Sequence, residues 1–122
     1  MALVQVAQRA EDLDRASAWY ALLLNRQPSA RFDPPGLVFF DLDDVRLLLE
    51  AGAPSALLYL QVHDLDAEVA RLAAAGVHVL SQPQLIFRHD DDTLGPAGTS
   101  EWQAFVRDSE GNTVGLVEWR AA

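Results

Sequence analysis

One local pattern occurs twice in this chain, roughly half a chain apart. An apolar run ends in Asp12-Leu13-Asp14, and a second such run ends in Asp64-Leu65-Asp66. In both, the first aspartate stands where its carboxylate can cap the opening turn of a helix. The second adds negative charge at the positive end of the helix dipole. Helical spacing follows each time, through Leu13, Ala16, Tyr20, Leu23 and Leu24 in the first half and Leu65, Val69 and Leu72 in the second. A repeat of this length means one supersecondary unit built twice.

The rest of each half reads as strands. Leu3 to Arg9 alternates ahead of the first helix, which Asn25 stops. Ser29 to Phe32 is a second strand, ended by Asp33-Pro34-Pro35-Gly36, and Leu37 to Leu42 and Val45 to Glu50 form a hairpin across Asp43-Asp44. Ala51-Gly52-Ala53-Pro54-Ser55 is the one internal boundary, too short for a domain linker. Leu57 to His63 then opens the second half, and Gly76 caps its helix. Short strands at Val77 to Leu80 and Leu85 to Arg88 flank Gln82-Pro83, a loop runs from His89 to Ser100, and the hairpin from Trp102 to Trp119 closes the chain. We therefore expect an α+β fold, one domain over residues 1–122, with βαβββ modules at 1–52 and 56–122.

With 122 residues, half of them hydrophobic, the chain can bury a real core. It has no cysteine, which removes disulfides, thiol nucleophiles and thiolate metal sites. The formal net charge is -9, and the nine basic residues are all arginine with no cluster among them. Nucleic acid and an anionic membrane surface are accordingly not expected partners. No apolar run reaches the ~18 residues of a membrane span, and the start lacks the charge of a signal peptide, so a cytoplasmic protein is the expectation.

The closing turn, Asp108-Ser109-Glu110-Gly111-Asn112, resembles the Asp-Pro-x-Gly-Asn hairpin of the vicinal oxygen chelate superfamily, which includes glyoxalases, bleomycin-resistance proteins and dioxygenases. Ser109 stands where that family usually has proline. Trp19-Tyr20 on the first helix is similar to its Phe-Tyr pair, and the module order matches across nearly the whole sequence. The resemblance implies two modules whose sheets wrap into an open cup with the helices outside. It also implies a homodimer, since most chains of this length in the family pair.

Metal-dependent members hold one ion with four His, Gln or Glu side chains on the first and last strands of each module. Counting from the landmarks places these positions on Gln5, Leu47, Leu58 and Gly115, so only Gln5 could donate. No metal and no other cofactor is therefore expected. Glu50 and Glu118 lie an odd number of residues from their expected positions, which turns them to the other face. By the same parity an apolar lining follows, with Leu47, Leu49, Leu58, Leu60, Gly115 and Val117 around Gln5. Trp102 is a candidate stacking partner for a planar ligand.

His89 opens the long loop and is the candidate for proton transfer, because imidazole titrates near neutrality. Glu101 and Glu118 are weaker candidates. Two functions follow from the resemblance. One is a metal-independent protein that binds an apolar or aromatic small molecule. The other is a metal-assisted lyase or isomerase, glyoxalase- or epimerase-like, with an unorthodox ligand set such as Gln5, His89 and Glu118. Enolate chemistry without a Lewis acid is difficult, which ranks binding first.

Overall fold

Asp12 and Asp64 cap their helices as the repeat requires. The Asp12 carboxylate accepts the backbone N–H of Arg15 at 3.0 Å, and that of Asp64 accepts the N–H of Ala67 at 3.1 Å. A computed structural model describes residues 1–122. In chain order its elements are β1 (Gln5–Arg9), α1 (Leu13–Leu24), β2 (Ala30–Phe32), β3 (Leu37–Leu42), β4 (Val45–Glu50), β5 (Leu58–Gln61), α2 (Leu65–Ala74), β6 (His78–Arg88), β7 (Thr99–Arg107) and β8 (Thr113–Ala121). Asn25 ends α1 in the left-handed conformation, at φ 54. Neither helix is long and apolar enough to cross a membrane.

The strands form two four-stranded sheets, ordered β1-β4-β3-β2 and β5-β8-β7-β6. In each, the first strand of the module runs parallel to its last strand, and the remaining pairs are antiparallel. Two βαβββ modules with open sheets make this the α+β fold that the sequence implies. By their contacts the residues divide into two compact units. Met1–Ala56 with Asp108–Asn112 form one, and Leu57–Arg107 with Thr113–Ala122 form the other.

In the first unit the sheet buries one face. Val38, Phe40, Leu47 and Leu49 alternate onto it and are at most 1% exposed, as are Ala16 and Tyr20 of α1. The Tyr20 and Phe40 rings meet there, 6.5 Å between centroids. Removing either ring from this core would cost about 3–5 kcal/mol by cavity formation. The turn at 108–112 packs into the same unit. Asp108 takes four hydrogen bonds, from the backbone N–H groups of Glu110 and Asn112, the Asn112 amide and the Tyr20 hydroxyl, all between 2.7 and 2.8 Å. Burial, and then the bond to Asp108, push the Tyr20 hydroxyl well above its ordinary pKa. Gly111 supplies the positive φ of 88 that this turn needs.

One element differs from expectation. The two short strands around Gln82-Pro83 are a single strand, β6. It lies at the edge of its sheet, where Pro83 forfeits no ladder bond that a central strand would need, and shifts of register on either side absorb the irregularity.

Candidate functional site

Alternation along β5, β7 and β8 sorts the second unit into two faces. Val114 and Leu116 pair with Leu58 and Leu60 and lie on the face that α2 covers with Leu65, Val69 and Leu72. Glu118 shares that face. Its carboxylate accepts the N–H of Leu65 at 2.6 Å, at the start of α2, and holds Arg120 at 2.8 Å. Trp102 sits opposite Glu118 on β7, with the Arg120 guanidinium 4.2 Å above its ring.

The other face carries a cleft of about 370 Å³, lined by Tyr59, Gln61, Phe87, Leu94, Glu101, Gln103, Val117 and Trp119. Cross-strand pairing explains the set. Gln61 and Gln103 both lie opposite Val117, while Glu101 lies opposite both Trp119 and Phe87. The walls are aromatic and aliphatic, and Tyr59 remains 53% exposed. One end is polar. The Glu101 carboxylate meets His89 Nε2 at 2.9 Å through one oxygen and accepts from the Gln103 amide at 2.6 Å through the other.

His89 is enclosed by its neighbours. Its ring lies 4.3 Å from Phe87 and 5.3 Å from Trp119, and its side chain is 1% exposed. The loop crosses directly over it at Gly95. A Cβ there would fall 2.8 Å from the imidazole and 3.1 Å from Trp119, so a side chain at this position would push the loop off the site. Two of the loop's three aspartates are bonded within it, Asp91 to the N–H of Thr93 and Asp92 to that of Ala97. The bonds from Thr93 lower the Asp91 pKa from its ordinary value. Glu101, named in the sequence only as a weaker candidate, is the carboxylate that lines the cleft.

Little of the sequence-derived lining is thus on this face. Gly115 and Val117 belong to it, and Gly115 leaves room for Tyr59 and Phe105, whose rings come within 2.9 and 3.1 Å of where its Cβ would be. Leu58, Leu60 and Trp102 lie on the α2 face. In the first unit Leu47 and Leu49 are core residues, while Gln5 sits on the opposite face, paired with Arg46. The fault is one of counting. Gln5 is seven residues before its N-cap aspartate and Leu58 six, and an even step cannot match an odd one in a strand. Stepping back seven from Asp64 reaches Leu57, and the same parity gives Tyr59 and Gln61. The equivalent of Gly115 in β4 becomes Leu48, which pairs with Ala7 as Gly115 pairs with Tyr59. Trp119, Gln103 and Glu101 then follow by alternation along the closing hairpin.

A model of the Glyoxalase/Bleomycin resistance protein/Dioxygenase superfamily matches residues 2–116. The chain belongs to this superfamily. Among solved structures it is similar to TnmS3, an antibiotic binding protein from Streptomyces sp. CB03234, at 22% identity and a TM-score of 0.70, covering 98% of this chain and 96% of that one. It is similar also to a lactoylglutathione lyase from Agrobacterium tumefaciens, at 22% identity, TM-score 0.65 and coverage of 96% and 92%. A superfamily member from Sphaerobacter thermophilus DSM 20745 aligns at 18% identity, TM-score 0.73 and coverage of 97% of both chains. At these identities the likeness is one of fold. No curated protein matches.

The residues of this superfamily member do not fit the ion that the superfamily's metal-dependent enzymes hold. Correcting the register exchanges Leu47 for Leu48 and Leu58 for Leu57, and neither leucine can donate to a metal. Gln5 is the remaining donor among the four, and its Oε1 already accepts from the Arg46 guanidinium at 2.7 Å. A cation at Gln5 would face that fixed positive charge. The corrected register puts Glu50 on the same face as Gln5, not the opposite one, but no metal-binding cluster forms around it. No three His, Asp or Glu side chains converge elsewhere. The unorthodox set of Gln5, His89 and Glu118 fails on its own terms, because Glu118 lies on the α2 face and His89 on the cleft face of one sheet.

Proposed function

We propose that this chain is a metal-independent small-molecule-binding protein, which holds a planar, largely apolar ligand in the aromatic cleft of its second unit. The cleft carries the reading. Apolar walls with a few polar groups at one end are the usual composition of a ligand site. Tyr59, Phe87 and Trp119 offer ring faces and edges, and Val117 and Leu94 complete the apolar contact. Glu101, Gln61 and Gln103 orient what enters. The role of His89 is to hold Glu101: its Nε2 is committed to that carboxylate, and proton transfer to a ligand would require the bond to break. The similarity to an antibiotic binding protein supports the same reading at the level of the fold.

Burying roughly 200 Å² of ligand apolar surface gains about 5 kcal/mol at 25 cal/mol per Å². Association reclaims a large share of this. Affinity for a simple probe should therefore be roughly millimolar, and submillimolar at best. Anthracenemethanol, an uncharged tricyclic, tests the proposal by quenching of tryptophan fluorescence and by calorimetry. Saturable binding is expected, lost in Trp119→Ala and retained in Trp102→Phe, whose ring lies on the α2 face. Binding unaffected by Trp119→Ala would place the ligand elsewhere and refute the proposal.

A further inference from the structure

The geometry points to a cationic ligand: a planar aromatic molecule that carries a protonated amine or another positive group beside Glu101. This rests on the cleft being the binding site and names what it selects. Each Glu101 oxygen has one partner, His89 Nε2 on one side and the Gln103 amide on the other. A carboxylate oxygen has room for a further donor, so Glu101 can accept from a ligand without giving up the bonds that hold it. Glu101 is 8% exposed among aromatic neighbours, where an ion is poorly hydrated and a counter-charge is worth more than in water.

Three further observations agree in sign. The lining contains no arginine, although the chain has nine, so no guanidinium charge answers an anion there. The faces of Tyr59, Phe87 and Trp119 are themselves attractive to cations. The formal charge of -9 draws cations in from solution and repels anions.

An anthracene series that differs only in charge tests this: anthracenemethylamine, anthracenemethanol and anthracenecarboxylate, titrated by calorimetry at about pH 7, where the amine and the carboxylate are both charged. The amine should bind at least about tenfold more tightly than the alcohol, within the range of cation–π and charge-assisted contacts. The carboxylate should bind most weakly, and added salt should weaken the amine alone. Glu101→Gln should bring the amine to the level of the alcohol. Should that variant not fold, the charge series and its salt dependence in the unaltered protein decide the matter. Equal binding of amine and alcohol, or a carboxylate that binds as well as the amine, would overturn the inference and leave the cleft standing as a neutral site. Failure of all three to bind would remove the proposed site, and the inference with it.

Discussion

Glu110, in the turn between β7 and β8, should govern how the first unit responds to acid. Its carboxylate stands at the N-terminus of α1, where Oε1 accepts the N–H groups of Glu11 and Asp12 at 3.1 and 3.0 Å. Oε2 takes Arg15 Nε at 2.8 Å and the Ser109 hydroxyl at 2.9 Å. The bond from Arg15 first, then the backbone N–H of Asp12 and the Ser109 hydroxyl, draw its pKa from 4.5 down to about 2. Taken in full, that fall corresponds to about 3 kcal/mol of folding stability. Arg15 is 56% exposed and screened by solvent, so about 1–2 kcal/mol is the reasonable expectation.

The sign follows from the direction of the shift. A carboxyl group that ionises more readily when folded stabilises fully above its unfolded pKa, near 4.5, and the contribution drains away as pH falls towards 2. In Glu110→Gln, urea unfolding at pH 7 should show a loss of about 1–2 kcal/mol, with more than half of the gap gone by about pH 3. An offset below about 0.5 kcal/mol, or one that stays constant with pH, would show that the ion pair and cap contribute nothing through charge.

Other outcomes follow from the same geometry. Adding zinc, nickel or manganese should barely move the melting temperature, since stabilisation follows from binding to the native state; a rise of many degrees that disappears in Gln5→Ala would overturn the exclusion of the family's ion. Tyr20→Phe should cost about 1–3 kcal/mol in chemical unfolding, because it leaves a buried Asp108 oxygen short of one donor; a neutral result would mean that the bond is replaced by water. Light scattering at micromolar concentration should give a mass near twice the 13.4 kDa of one chain, because each sheet ends in two strands that pair on one side only. A mass of 13.4 kDa would refute the dimer.

Local chemistry made most of the fold legible. Asp12, Asp64 and Asn25 act within one helical turn of themselves, so a sequence window contains everything they need. The same holds for Gly111 in its turn. β6 was harder to read, because Pro83 normally ends a strand and nothing local says that this strand is an edge. Gln8 is a second case. A glutamine at a fully buried position looks like an error until Ala56 is brought to it from far along the chain. Its amide then bonds the Ala56 carbonyl at 2.8 Å and its oxygen takes the Ala56 N–H at 2.7 Å.

The cleft was legible in part, and the missing part has one cause. Strand side chains alternate, so a lining is known once a single residue on each strand is assigned to a face. On β8 the count from Gly111 is even, which is why Gly115 and Val117 share the cleft face. On β4 and β5 it was off by one, and one residue is enough to exchange a ligand-facing wall for the hydrophobic core. Leu58 and Leu60 looked more like a pocket than Tyr59 and Gln61 because core and pocket linings are both apolar. Polarity breaks that tie. A core strand face has no use for an exposed glutamine beside a tyrosine, whereas a binding face needs a few such groups. Glu101, Gln103, Gln61 and Tyr59 share one face because each lies opposite, or two residues along from, another member of the set. His89 follows by the same alternation, two residues beyond Phe87, with its backbone N–H on the Thr99 carbonyl. The loop then folds back over its ring, with Gly95 at the point of closest approach.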